Sequence, residues 1–143
     1  MTVQKILSGK GDNVVTADPN ATLGEAVRIL AARRIGALVV TGADRRIVGI
    51  LSERDVVRVL GEKGPSALET PIAEVMTRKV TTCSMGDTIA ELMERMTEGK
   101  FRHVPVVEDG RLAGIVSIGD VVKWRVHEIE DESAALRDYI RTA

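Results

Sequence analysis

With 143 residues, 44% of them hydrophobic, the chain can close one ordinary core or two small halves that share one, and it has no room for an independent catalytic domain. Lys and Arg number 20 against 21 Asp and Glu, a formal charge of -1, so no broad basic surface exists to displace counterions from nucleic acid; aromatic residues at 2% give no stacking platform for single strands. A lone Cys83 without a disulfide partner, and no long apolar run to serve as a signal peptide or bilayer span, lead to the expectation of a reducing cytoplasm.

The first predicted element is a short strand at 14–16, followed by a helix whose apolar stripe is Leu23, Ala26, Val27 and Leu30. Thr22 and Glu25 stand at capping-box spacing in front of it. Two apolar runs at 37–40 and 47–51, separated by Gly42, Ala43 and Asp44, predict a strand pair. Their apolar character on both faces predicts strands covered on both sides. Gly and Pro punctuate 61–71 as a connection, with a short helical turn at 72–76.

The same series then recurs. A strand at 80–82 precedes a helix with Ile89, Leu92, Met93 and Met96 on one face, capped by Thr88 and Glu91, and strands at 104–107 and 112–116 follow around Asp109-Gly110. Gly49-Ile-Leu-Ser52-Glu-Arg-Asp55 lies over Gly114-Ile-Val-Ser117-Ile-Gly-Asp120, so the chain is a tandem β-α-β-β-α repeat. From Ile118 to about Arg141, Val122, Val126, Ile129, Leu136 and Ile140 predict a long terminal helix. Its second half projects past the repeat and packs on another helix, the N-terminal one or that of a dimer partner, with Trp124 and Tyr139 as packing anchors. The expected division is 10–63 for the first repeat, 64–74 for the linker, 75–127 for the second repeat and 128–143 for the helical extension.

Ser52 with Asp55, and Ser117 with Asp120, fall where a strand passes into a helix. There a carboxylate can accept from the cis hydroxyls of a ribose, while the Ser hydroxyl and free amides face phosphate. The same spacing is helix-capping chemistry, and it also occurs at Ser84 and Asp87, so both readings stand on this motif alone. Arg102, His103 and Pro105 at the start of a second-repeat strand add cations where the first repeat has Gly36 and Ala37. Arg54 and Lys79 are further phosphate candidates, and Gly119 replaces Arg54 in the second repeat. The two sites are therefore expected to be unequal, with the second the stronger. No metal site is expected, since His127 is the only other His and no Cys pair exists. No P-loop, dinucleotide fingerprint or nucleophile turn is present, so no catalytic residue is assigned and no enzyme is expected.

Carried by these two repeats and their Ser-x-x-Asp motifs, the chain resembles a pair of cystathionine-β-synthase-type (CBS) domains, the Bateman module, over residues 10 to 127. The resemblance implies an α+β fold of two repeats packed sheet to sheet as a pseudo-twofold disc, here with a long C-terminal helix. It further implies clefts for AMP, ADP, ATP, NAD(H) or S-adenosylmethionine, with adenine near Thr16-Ala17 and Thr81-Thr82 and phosphate near Arg102 and His103. The expected role is a regulatory adenine-nucleotide sensor, homodimeric and acting in trans on an unknown protein. The alternative is a structural docking module without a nucleotide.

Overall fold

The computed structural model describes residues 1–11 and 13–142. The fold is α+β, with eleven helices and strands of regular hydrogen bonding among the described residues: α1 (Val3–Lys10), β1 (Thr16–Ala17), α2 (Leu23–Arg33), β2 (Ala37–Thr41), β3 (Ile47–Ser52), α3 (Glu53–Lys63), α4 (Ile72–Val75), α5 (Ile89–Gly99), β4 (His103–Glu108), β5 (Arg111–Ser117) and α6 (Ile118–Thr142). They fall into two compact units: Asn13–Thr81 with Val107–Ala113, and the described residues of Met1–Asp12, Thr82–Val106 and Gly114–Ala143.

In the first unit the sheet order is β1-β2-β3. β1 runs parallel to β2 with Thr16 opposite Val39, and β2 runs antiparallel to β3 with Ala37 opposite Ser52. Leu38, Val39 and Val40 are fully buried, as an unbroken apolar run requires. The core joins Leu38, Val40 and Leu51 of the sheet to Leu23, Ala26 and Leu30 of α2 and Val56 and Val59 of α3. The capping box expected at α2 is formed, with the Glu25 amide donating to Thr22 Oγ1 at 3.2 Å and the Thr22 amide to Glu25 Oε2 at 3.3 Å.

The connection between repeats is largely ordered and packed. α3 runs through Gly61 and ends at Gly64, whose φ of 73° suits glycine; a 3-10 turn covers Pro65–Glu69, and α4 follows where a helical turn was expected. Ala67, Ile72 and Val75 enter the first unit's core, and the Ile72 amide donates to the Ala21 carbonyl at 2.8 Å.

The second repeat runs through α5, β4, β5 and α6, with Thr88 and Glu91 closing the cap of α5. Asp109 and Gly110, both at positive φ, form the two-residue turn of the β4–β5 hairpin. The strand expected at 80–82 is reduced to one parallel bridge, Cys83 to Val106, with the Cys83 amide donating to the Pro105 carbonyl at 3.0 Å. Pro105 lacks an amide to donate in return, which limits the ladder there.

One packing feature links distant parts of the sequence. α1 precedes the first repeat yet belongs to the second unit: the Val3 amide donates to the Asp87 carbonyl at 2.9 Å, the Ile89 amide to the Met1 carbonyl at 3.1 Å, and Thr2 bridges Thr88. α4 precedes the second repeat yet serves the first in the same way, with Thr22 bridging Pro71 and the Leu23 amide donating to the Thr70 carbonyl at 2.8 Å. The glycines agree. A Cβ on Gly49 would meet Met76, just past α4, and one on Gly114 would come within 2.8 Å of Leu7 in α1.

Candidate functional site

Each Ser-x-x-Asp motif lies at the junction of an edge strand and the helix after it, because the capping box stops the strand and starts the helix within one turn. In the first unit Ser52 accepts from the Asp55 amide at 3.3 Å and Asp55 Oδ2 from the Ser52 amide at 3.0 Å. In the second, Ser117 accepts from the Asp120 amide at 3.2 Å and Asp120 Oδ2 from the Ser117 amide at 2.9 Å. Both Ser hydroxyls also donate to the Oδ2 of their own Asp. Capping is thus fully realised at both sites, and whatever else these residues do is built on it.

What distinguishes the two carboxylates is the rest of their surroundings. Asp55 is buried at 8% exposure and engaged through both oxygens: Thr77 Oγ1 donates to Oδ1 at 3.3 Å and to Oδ2 at 3.4 Å, and Arg58 Nη2 reaches Oδ1 at 3.3 Å. Asp120 is more open, and all its contacts converge on Oδ2, where Lys10 Nζ donates at 2.6 Å. Among the described residues, nothing occupies Asp120 Oδ1. Lys10 Nζ also donates to the Ile115 carbonyl at 3.0 Å, which fixes the ammonium against β5. Burial pushes the Asp120 carboxyl upward, but the Lys10 ammonium and the Ser117 amide outweigh it and hold it below its ordinary 3.8.

The structure brings some of the expected site residues together. The Glu53 amide donates to the Gly36 carbonyl at 3.0 Å, and the Ile118 amide to the Arg102 carbonyl at 2.8 Å, so each strand start is joined by backbone to the first turn of its helix. Ala37 lies opposite Ser52, and Thr16 and Ala17 lie on the far side of β2, opposite Val39 and Val40. Arg102 is exposed, His103 half-buried and Pro105 buried. Arg54, Lys79, Thr81, Thr82 and Gly119 are on the surface. The hydroxyl and carboxylate of each motif, the first turn of its helix and its strand start therefore form one local group, while Lys79, Thr81 and Thr82 make no side-chain hydrogen bond or ion pair with it among the described residues.

Two partners escaped the sequence reading. Lys10 ends α1 and Thr77 follows α4, and each reaches the Asp of the unit its helix packs on. The signal that could have found them is a short shared pattern, Val3-x-x-Ile6-Leu7 and Ile72-x-x-Val75-Met76, which marks α1 and α4 as corresponding elements. Arg58, three residues after Asp55, was readable as a helical i,i+3 pair.

Ser84 and Asp87 show the same spacing without a helix directly behind it. They close a turn, with the Ser84 amide donating to Asp87 Oδ2 at 2.8 Å and Arg95 Nη1 pairing with the same oxygen at 2.9 Å. An open recess of about 440 Å³ lies elsewhere, lined by Met1, Thr2, Lys5, Glu128, Asp131 and Glu132, and includes none of the expected site residues. No cluster of three potential metal ligands exists among the described residues, and none of their helices is long and apolar enough to cross a membrane.

The family described as CBS domain matches the chain twice, over residues 10–62 and 72–127. The chain is 32% identical over 148 residues to the Arabidopsis thaliana protein "CBS domain-containing protein CBSX3, mitochondrial", covering 98% of this chain and 72% of that one. It is 40% identical over 105 residues to CBSCBSPB5 of the same plant, but spans only 19% of that protein's length and 73% of its own. Among solved structures, the CBS-domain containing protein ATU1752 from Agrobacterium tumefaciens superposes with a TM-score of 0.84 at 49% identity, over 87% of this chain and 99% of that one. The CBS domain pair of protein MJ0100, in complex with 5-methylthioadenosine and S-adenosyl-L-methionine, gives 0.79 at 27% identity over 90% and 98%. The CBS domain protein PAE2072 from Pyrobaculum aerophilum, complexed with AMP, gives 0.75 at 29% identity over 84% and 89%.

Proposed function

Since this chain belongs to the CBS domain family and carries two copies of the domain, we propose that it is a regulatory module that binds an adenosine-containing ligand and acts in trans, as a homodimer, on another protein. The ligand is AMP, ADP, ATP or NAD(H), and no bond of it is broken. The observation that supports this most directly is the Ser117/Asp120 motif: a carboxylate fixed on one oxygen, with the other open at the start of a helix. Asp120 Oδ1 accepts a ribose hydroxyl, Lys10, Arg102 and the positive end of α6 supply positive charge for phosphate, and His103 stands beside them as a hydrogen-bonding group. The solved relatives that hold AMP, or 5-methylthioadenosine and S-adenosyl-L-methionine, support the adenosine part of the reading. The Lys10 ammonium favours an anionic ligand over the sulfonium of S-adenosylmethionine.

The Asp55 motif, already satisfied on both oxygens, is the weaker site. That sharpens the inequality expected from Arg102 and His103 with an independent reason, the occupancy of the carboxylate itself.

Titration calorimetry with AMP, ATP, NADH and S-adenosylmethionine tests the reading. A nucleotide is expected to bind, Asp120→Ala to weaken it about 10- to 100-fold through the lost charged hydrogen bond, and Asp55→Ala to act less. Thermal shift gives a second readout, since a ligand at about 100 times its dissociation constant stabilises the fold by roughly 2.7 kcal/mol. The docking alternative draws on one observation, that both motifs are complete as caps without a ligand. It gains if no nucleotide binds at millimolar concentration while the fold is intact.

A further inference from the structure

α6 is 25 residues long, about 37 Å at roughly 1.5 Å per residue. Its inner side is fixed in the second unit: Val121 is fully buried, and the Trp124 ring lies so close to α1 that a Cβ on Gly9 would approach it to 3.0 Å. About a third of a turn around the helix from this side, Val122, Val126, Ile129, Leu136 and Ile140 are all exposed, Ile129 at 51%, Leu136 at 60% and Ile140 at 65%. With Ser133 they alternate in steps of four and three, so they occupy successive d and a positions of a heptad over the whole helix. An amphipathic helix that packs only on its own domain needs one apolar side, and α6 has two.

The residues flanking this seam identify its occupant. With Val126, Ser133 and Ile140 at a, the g positions include Arg125 and Glu132, and the e positions include Glu130 and Arg137. In a parallel two-stranded coiled coil each g residue faces the e residue five positions further along the other helix. A second copy of this chain therefore sets Arg125 against Glu130 and Glu132 against Arg137, opposite charges at both pairs and on both sides of the twofold axis. The seam is self-complementary in sequence and charge, as a twofold interface must be.

We infer that α6 pairs in parallel with α6 of a second copy along Val122, Val126, Ile129, Ser133, Leu136 and Ile140. This gives the homodimer a specific surface and orientation, and it does not depend on nucleotide binding. The small polar Ser133 at a central a position, with apolar residues on either side, fixes the register at some cost in affinity.

The test is made on the full chain by light scattering and cysteine crosslinking. The wild type is expected at twice the chain mass, and Ile129→Glu with Leu136→Glu at the chain mass with unchanged circular dichroism at the sheet and helix bands. In a Cys83→Ala background, Ile140→Cys is expected to crosslink to itself on mild oxidation. Glu132→Arg and Arg137→Glu should each weaken the homodimer, and mixing the two variants should give a heterodimer. A monomeric wild type overturns the proposal, as does a dimer that survives the double glutamate variant. So does crosslinking of Ile140→Cys only to Val122→Cys, which marks an antiparallel pair.

Discussion

Lys10 Nζ lies 2.6 Å from Asp120 Oδ2, joining the end of the first helix of the chain to the first turn of the last. The contact is partly buried on both sides, so water screens it less than an exposed ion pair. Its counterpart at the other motif is the Thr77 hydroxyl on Asp55, a neutral donor in place of an ammonium. By the pattern that sets Leu7 over Met76, Thr77 corresponds to Ser8 and Lys10 to Lys79, so different positions of two corresponding segments give one carboxylate an ammonium and the other a hydroxyl.

The Lys10 contact sets the titration of Asp120. The folded carboxyl lies below its ordinary 3.8, so its contribution to stability is complete above the unfolded value and is lost as pH falls through the folded one. Lys10→Met removes the ammonium and leaves burial, which acts in the opposite direction. The Asp120 titration midpoint followed by carboxyl carbon NMR is expected to rise, and stability to decline at a higher pH than in the wild type. An unmoved midpoint refutes the pairing.

Removing the carboxylate of the first motif is expected to cost more stability than removing its Thr77 partner. Asp55→Ala deletes a helix cap and strands the Ser52 amide and Thr77 hydroxyl, a loss of about 1 to 3 kcal/mol. Thr77→Val removes one bond to the same group and should cost about 1 kcal/mol. Chemical denaturation of the two variants and their double mutant gives the ranking, and a double-mutant loss below the sum is expected because they share one network.

The contacts of α1 and α4 can be probed through the glycines that admit them. Gly49→Ala drives a Cβ against Met76 and to 3.0 Å from the Thr77 carbonyl, backbone that cannot step aside. A loss of about 1 to 3 kcal/mol is expected. Gly114→Ala meets the Leu7 side chain first, at 2.8 Å, so shortening that side chain with Leu7→Ala should make the alanine less costly. Measured coupling between Gly114 and Leu7 tests the placement of α1 on β5; strict additivity speaks against it.

Burial, together with the Asp87 carboxylate and against the pull of Arg95, pushes the Cys83 thiol up to about 12. Thiolate is the reactive form, so a maleimide at pH 8 should leave Cys83 unmodified in the native protein and label it once denaturant is added. Rapid native labelling contradicts the burial of Cys83 beside the Pro105 carbonyl.

The repeat, the four capping boxes, the hairpin turn at Asp109-Gly110 and the extent of α6 were all legible in the sequence. So was the Ser/Asp core of each candidate site. The strand expected at 80–82, as the counterpart of the one at 14–16, was not borne out as a strand, because the repeat does not reveal that it would pair beside Pro105, which has no amide to give.

What the sequence determined by itself rests on interactions spanning three or four residues, whose geometry is fixed once a helix or a turn forms: Thr22 finds Glu25 and Ser117 finds Asp120 wherever the segment lies. Tertiary structure alone decided that α1 serves the second unit and α4 the first, and hence that Lys10 faces Asp120 while Thr77 faces Asp55. Periodicity identifies which face of a helix is apolar, not which of two similar repeats will cover it. That choice depends on how distant surfaces fit, and it left one carboxylate saturated and the other with an oxygen open for a ligand.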